Sequence, residues 1–362
     1  MEIAAGAIRA FFMFDVADTI DLANLRTIEG EGLARADIPL LQHKSAAYLR
    51  FPVPPLAAHL PDAHFGTLRA SVRVKLFDYG VISLRFSFDA CGEWSRLVDL
   101  THAVRHDERI AAYALDATRR ICDELGPALD DRHEPLAEDY LVIDVERFTL
   151  PLDTEHLLRD HGAQLVPLLL GERVALARAE LDESLRVRFS YFADDLTVVL
   201  WDAAFVYDRR ESSDAIQDIL EFANSQLLEL RTYDALLDRE LDDVYKLQPY
   251  KGGHSLRGRR ETDQAQQLRY LIVDVLELID RSSNALKVVG DAYYARIYRA
   301  AAKRLGLSDW QEQIDAKLTS LRGVYQFLTD EARSRRDEFL ELIVIALIGV
   351  EIVIGVATLF HR

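Results

Sequence analysis

At 362 residues with 49% hydrophobic content, the chain is long enough to bury more than one core, and its two cysteines, Cys91 and Cys122, exclude a disulfide framework. The net charge of −17 excludes a general nucleic-acid or anionic-membrane surface, because a phosphate backbone rewards dense Lys and Arg and repels an acidic face. Any anion contact must be local.

Taken in chain order, residues 1–212 read as an α+β domain. Ile8 to Val16 is a strand and Asp18 to Leu25 a short helix. Arg69 to Phe77 and Val81 to Phe88 alternate apolar and polar residues around Asp78-Tyr79-Gly80, which predicts a hairpin with Val72, Val74 and Leu76 facing the core and Arg73 and Lys75 facing out. A long amphipathic stretch from Glu93 to Leu125 covers the sheet, and Gly126-Pro127 ends it. Tyr140 to Phe148 is a strand and Thr154 to Leu170 a helix. Arg186 to Phe192 with Leu196 to Val206 then forms a second hairpin around Asp194-Asp195, so a weak duplication of strand, helix, hairpin and helix is expected.

Residues 213–338 predict a long antiparallel three-helix bundle. Ile216, Ile219, Ala223, Leu227, Leu230, Leu237, Leu241 and Val244 recur at helical spacing, as do Leu268, Leu271, Val275, Leu278, Ser282, Ala285 and Val289, and then Trp310, Ile314, Leu318, Leu321, Tyr325, Leu328 and Ala332. Between the first two lies a loop, 249–260, in which Lys251, Arg257, Arg259 and Arg260 meet no acid. Residues 339–362 complete the reading as a single C-terminal transmembrane helix: Leu342 to Phe360 is apolar except for Glu351, about the ~20 residues a bilayer core requires. Arg333, Arg335 and Arg336 precede it and only Arg362 follows, which places the body in the cytosol. On this reading those three arginines join the loop in contact with anionic lipid or a partner. Ile348, Glu351, Gly355 and Thr358 share a face that would bring transmembrane helices together in a homo-oligomer.

Chemical motifs are sparse. The chain has no phosphate-cradling Gly-Lys-Ser/Thr loop, no His-Glu-x-x-His and no Cys-x-x-Cys. His102 and His106 stand one turn apart, with Asp99 or Asp107 as a further ligand, but read as solvated helix residues. Asp194, Asp195, Asp202 and Asp208 cluster around the second hairpin and read chiefly as turn aspartates. Gly290, Asp291, Arg296 and Tyr298 read as a clamp in the bundle, with Asp291, Asp234 or Glu240 as the partner of Arg296.

The stretch from Ala285 to Val356 resembles the required-for-meiotic-nuclear-division proteins, a domain of unknown function shared by bacteria, fungi and mitochondria. The resemblance rests on Gly290-Asp291, Ala295-Arg296, Tyr298, Trp310, Tyr325, Arg335-Arg336, Leu340-Glu341, Leu347-Ile348 and Glu351, and upstream on Asn224 to Glu229, Arg231, Tyr233-Asp234, Leu237 and Tyr245, so that it covers about residues 213–356. It implies a membrane-anchored homo-oligomer without known catalysis, whose mitochondrial relatives hold ribosomes near a membrane. Without a basic presequence at the start, a bacterial cytoplasmic membrane is favoured. The expectation is a tethered, non-catalytic scaffold or assembly factor with no cofactor and a protein or ribosome as partner. Its rivals are a membrane-surface enzyme using Asp194, Asp195 and Asp202, or a transport accessory depending on Glu351.

Overall fold

The computed structural model describes residues 1–29, 37–39, 41–42, 51–174, 176–208, 213–246, 272–273 and 291–360; within these, the side chains of 28–29, 37–39, 41–42, 240, 243–246, 324–325, 327–340, 342 and 351–360 lie outside the description. The chain falls into two compact units, Met1–Thr232 with Arg281–Trp310, and Tyr233–Asp280 with Gln311–Arg362.

The first unit is built on a 10-stranded mixed sheet. Its central strand is β1 (Glu2–Asp15). On one side β1 pairs antiparallel with β8 (Val81–Asp89), and antiparallel pairing continues through β7 (Leu68–Leu76) and β6 (Leu56–Phe65) to β5 (Leu41–Gln42). On the other side β1 pairs antiparallel with β11 (Leu136–Phe148), which meets β14 (Ala203–Asp208) in parallel. Antiparallel β13 (Asp195–Val199) and β12 (Arg188–Phe189) complete that side. The short β9 (Gly92–Glu93) adds to the start of β1. Two small ribbons stand apart from this sheet, β2 (Thr19–Ile20) with β10 (Leu129–Asp130) and β3 (Thr27–Glu29) with β4 (Asp37–Pro39).

Both faces of the sheet are covered, which is why β1 reads as a nearly continuous apolar run. Ile8, Ala10 and Phe14 join Val72, Val74, Leu76, Leu84, Phe86, Phe88, Ile143, Val145 and Phe205 in one core. Over it lie α1 (Trp94–Arg105), α2 (Glu108–Leu125) and α3 (Thr154–Leu170), the last followed by the short α4 (Arg178–Ser184). The single amphipathic stretch expected over Glu93 to Leu125 is two helices because the Asp107 carboxylate caps α2, accepting from the amide of Arg109. The helix expected over Asp18 to Leu25 is instead the β2 ribbon and turns.

The opposite face carries α5 (Ser213–Lys246), through its part in this unit, and α6 (Ala292–Arg304). Phe222 of α5 stacks on Tyr298 of α6 at 5.8 Å, and the Tyr298 hydroxyl donates to Gln226 Oε1 at 3.1 Å. Lys75, expected to face water, is 6% exposed beneath α5. Alternation told which residues share a face; it did not tell that a helix would cover the polar one.

The expected fold class is corrected on three points. Helix α6 and the first part of α5, up to Thr232, pack on the sheet in the first unit, so the described residues show no long three-helix bundle. The second hairpin expected from Arg186–Phe192 and Leu196–Val206 is β12–β13, but its second strand is split by a turn into β13 and β14, and β14 joins β11 in parallel where β8 joins β1 antiparallel, so the expected duplication is not kept in the topology. Among the described residues no helix is long and apolar enough to cross a membrane, and the transmembrane anchor over 339–362 is withdrawn.

In the second unit, Leu237 of α5 and Ile314, Leu318 and Leu321 of α7 (Leu307–Phe360) are buried. Lys317 bridges Asp234 and Asp238, each at 2.6 Å.

Candidate functional site

The polar face of the sheet under α5 concentrates most of the buried ionisable chemistry of the first unit. Because side chains opposite each other in an antiparallel pair share a face, the register builds a lattice there. Ser71 stands opposite Ser87, and Ser87 opposite Arg9; in the next row His59, Arg73, Arg85 and Phe11 follow one another across β6, β7, β8 and β1; in the third, Lys75 stands opposite Ser83 and Ser83 opposite Met13. Four cations thus occupy neighbouring strands.

Helix α5 answers them with carboxylates and amides spaced along one side. Lys75 Nζ bonds Asp218 at 2.9 Å and makes a short contact with Glu221, with the three side chains 7%, 11% and 4% exposed. Burial lowers the proton affinity of this ammonium, but the two carboxylates outweigh it and hold the pKa above the usual lysine value. Arg9 reaches Asp144 of β11 at 2.7 Å and Asp214 and Gln217 of α5 at 3.0 and 2.8 Å. The same Asp144 oxygen accepts from Ser213 and Gln217, which ties the first turn of α5 to the sheet, while its other oxygen is buried without a hydrogen bond. Burial pushes the Asp144 carboxyl up to about 6, against the pull of Arg9.

Arg85 is held less firmly. Its nearest acceptors are Gln217 at 3.5 Å and Asp214 at 3.9 Å, and its Nε is buried without a partner. Burial first, then repulsion from Arg9 and Arg73, lowers its proton affinity. Farther along the face the Tyr79 hydroxyl meets Ser225 Oγ at 2.8 Å, and burial drives its pKa well up.

The residues singled out from sequence are placed elsewhere. Lys251, Arg257, Arg259, Arg260 and Gly290 lie outside the described residues; Arg333, Arg335, Arg336, Glu351, Gly355 and Thr358 belong to α7, but their side chains lie outside the description; Ile348 is exposed. Asp291 caps α6, accepting from the amides of Tyr293 and Tyr294 at 2.7 and 3.3 Å. Arg296 is exposed and stands over the Tyr293 ring at 5.5 Å, while Asp234 engages Lys317. Asp291 therefore works as a helix cap, and Tyr298 belongs to the α5–α6 contact.

Asp195 is buried and accepts the amides of Tyr191 and Phe192 at 2.8 and 3.1 Å, and Asp202 pairs with Arg105 at 2.5 Å, whose other nitrogen donates to Leu169 O at 2.6 Å. Asp195 holds its own turn, and Asp202 fastens the end of α1 to the turn between β13 and β14. The His102 and His106 rings stack at 4.2 Å beside an open depression of about 590 Å³, with Asp99 directed at Arg173 and Asp107 at Arg109. No group of three or more metal-ligating side chains gathers among the described residues.

The polar face was missed because its cations are dispersed in sequence, from Arg9 to Arg85. One signal was available: Arg73 and Lys75 alternate with Val72, Val74 and Leu76, and Asp214, Gln217, Asp218 and Glu221 recur at helical spacing.

Residues 5–214 match a family model described as the N-terminal domain of uncharacterized protein MJ0711. A similar protein, the uncharacterized protein MJ0711 of Methanocaldococcus jannaschii, is 25% identical over 206 residues, covering 57% of this chain and 62% of that protein. The chain thus spans about three-fifths of the length of the relative it matches. No solved structure matches. These findings correct the resemblance to the meiotic nuclear division proteins: the match falls on the α/β unit, and the helical residues that carried the resemblance have spacings common to amphipathic helices in general. The expected bacterial cytoplasmic membrane is corrected with it, since the relative is archaeal and no described helix is long and apolar enough to cross a membrane.

Proposed function

This chain belongs to the MJ0711 N-terminal domain family, and we propose that it is a non-catalytic assembly protein that acts by binding, as a homo-oligomer and with a protein partner. The observation that carries the reading is the surface of α7. Ile343, Val344, Ile345, Leu347, Ile348 and Val350 are 39–63% exposed, and consecutive positions of this kind cover every side of a helix. A helix apolar all round is stable in water only when something covers it, and a second copy supplies an equally apolar surface.

The ionisable groups of the first unit support the non-catalytic part. Lys75 with Asp218 and Glu221, Arg9 with Asp144, Arg105 with Asp202, and Arg231 with Glu138 each join one layer or element to another. Groups spent in this way hold layers together.

Mass measurement of the full chain by light scattering tests the assembly. The native chain should be an oligomer, and Ile345→Glu with Ile348→Glu should reduce it to a monomer with unchanged circular dichroism. A native chain that is monomeric at micromolar concentration would overturn the reading. The enzyme alternative predicts a turnover lost in Asp202→Ala with the fold intact; here that substitution should instead destabilise the fold by freeing Arg105.

A further inference from the structure

We propose that Arg9, Arg73 and Arg85, with the hydroxyls of Ser71 and Ser87 on their open side, form a binding site for the phosphate group of an anionic ligand, with the Asp214 carboxylate holding the anion's place. The inference deepens the binding reading above and rests on it for the absence of turnover.

Three observations converge. The first is density of charge: guanidinium groups on adjacent strands β7 and β8 are in direct register, and Arg9 lies one strand farther across, next to Ser87. Guanidinium groups present several N–H donors in a fixed plane that suits phosphate oxygens, and serine hydroxyls complete such a shell. Ser71 is exposed and Ser87 half-buried, so the lattice opens to solvent on the side of the serine row.

The second is the unequal quality of the ion pairs. Asp144 and Glu221 are buried, and Asp218 is largely so, against Arg9 and Lys75. Asp214 is different, 72% exposed while touching Arg9 at 3.0 Å and Arg85 at 3.9 Å. An exposed carboxylate loses little on returning to water, so an incoming oxyanion displaces it cheaply. Arg85, with a buried Nε that donates to nothing and long contacts elsewhere, gains most from the exchange.

The third is the position of the cluster at the first turn of α5. That turn contains Asp214, and its amides carry the positive end of the helix dipole. Glu146, 3.9 Å from Arg9 and half exposed, and Asp144 both oppose a dianion. Protonation of Asp144 near pH 6 relieves that opposition, and His59, at the end of the Arg73–Arg85 row, adds a positive charge only when it takes a proton.

A purely structural role for the cluster, fastening α5 to the sheet, predicts no affinity for free anions. Calorimetric titration of the full chain with inorganic phosphate separates the two. The native chain should bind phosphate in competition with sulfate, Arg85→Gln should weaken binding at least tenfold, and Asp214→Asn should tighten it several-fold, all with unchanged circular dichroism. Absence of binding to both the native chain and Asp214→Asn would overturn the proposal, as would binding that Arg85→Gln leaves unaltered. Incubation with p-nitrophenyl phosphate tests the reading beneath it: turnover lost in Arg85→Gln would support the phosphate site while overturning the non-catalytic function.

Discussion

Arg73 and Arg85 stand directly opposite each other across the β7–β8 hairpin, two guanidinium groups on one half-buried face. Like charges in this register work against the sheet by roughly 0.2–1 kcal/mol. The amide of Gln217 and the carboxylate of Asp214 temper the repulsion at Arg85 without close contact.

Arg85→Gln should therefore leave stability unchanged or raise it by up to about 1 kcal/mol. Urea denaturation checks this. A loss well beyond that margin would mean that Arg85 fastens α5 and that its pairing with Arg73 carries no strain.

Lys75 presents the opposite case. Lys75→Met leaves the buried Glu221 without its ammonium partner and should destabilise the first unit by about 3–5 kcal/mol, whereas Lys75→Met combined with Glu221→Gln should recover most of the loss. A double-mutant cycle in urea measures the coupling, and additive effects would show that the two groups do not sense each other.

Gly80 turns the same hairpin at φ +86°, where an added Cβ would lie 1.7 Å from the carbonyl oxygen of Ala17. The clash falls on backbone that is itself fixed, since Val16 donates to Gly80 O at 3.1 Å. Gly80→Ala should cost more than the ~1 kcal/mol of an ordinary unfavourable glycine replacement, read as a fall in melting temperature. An unchanged melting temperature would show that this turn can open at no expense.

Asp144 supplies a pH dependence with a definite sign. Its folded pKa, about 6, lies above the ordinary aspartate value of 3.8, so the folded chain binds the proton more tightly than the unfolded one. The stability it contributes is fully present below the unfolded pKa and is lost as pH rises through the folded value. Asp144→Asn should flatten the stability profile between about pH 4 and 6, measured by urea midpoints across that range. A profile that keeps its slope would assign the titration to another group.

Much of the first unit was legible in sequence. The helix over Thr154 to Leu170 was read to the residue, and the β7–β8 hairpin followed from alternation around Asp78-Tyr79-Gly80. The position of α5 was not legible, because its residues Ile216, Ile219, Ala223 and Leu227 satisfy a helix packed on helices as well as a helix packed on a sheet. The candidate site shared that fate: Arg9, Arg73 and Arg85 become neighbours only through strand order, which pairs β1 with a strand some 70 residues later and which local periodicity does not encode.

The first unit is assembled from two stretches of chain, Met1–Thr232 and Arg281–Trp310, with a central strand made of its earliest residues. During synthesis β1 emerges before its neighbours, waits for β8 on one edge and then for β11 on the other, and the unit lacks α6 until residues 292–304 have been made. From Phe222 to the end of α6 is about 80 residues, so at ~5–20 residues per second the interval lasts on the order of ten seconds, during which Phe222 lacks the Tyr298 ring that stacks on it. Nascent chains of this protein should therefore be stronger clients of ribosome-associated chaperones when halted before α6 than after it.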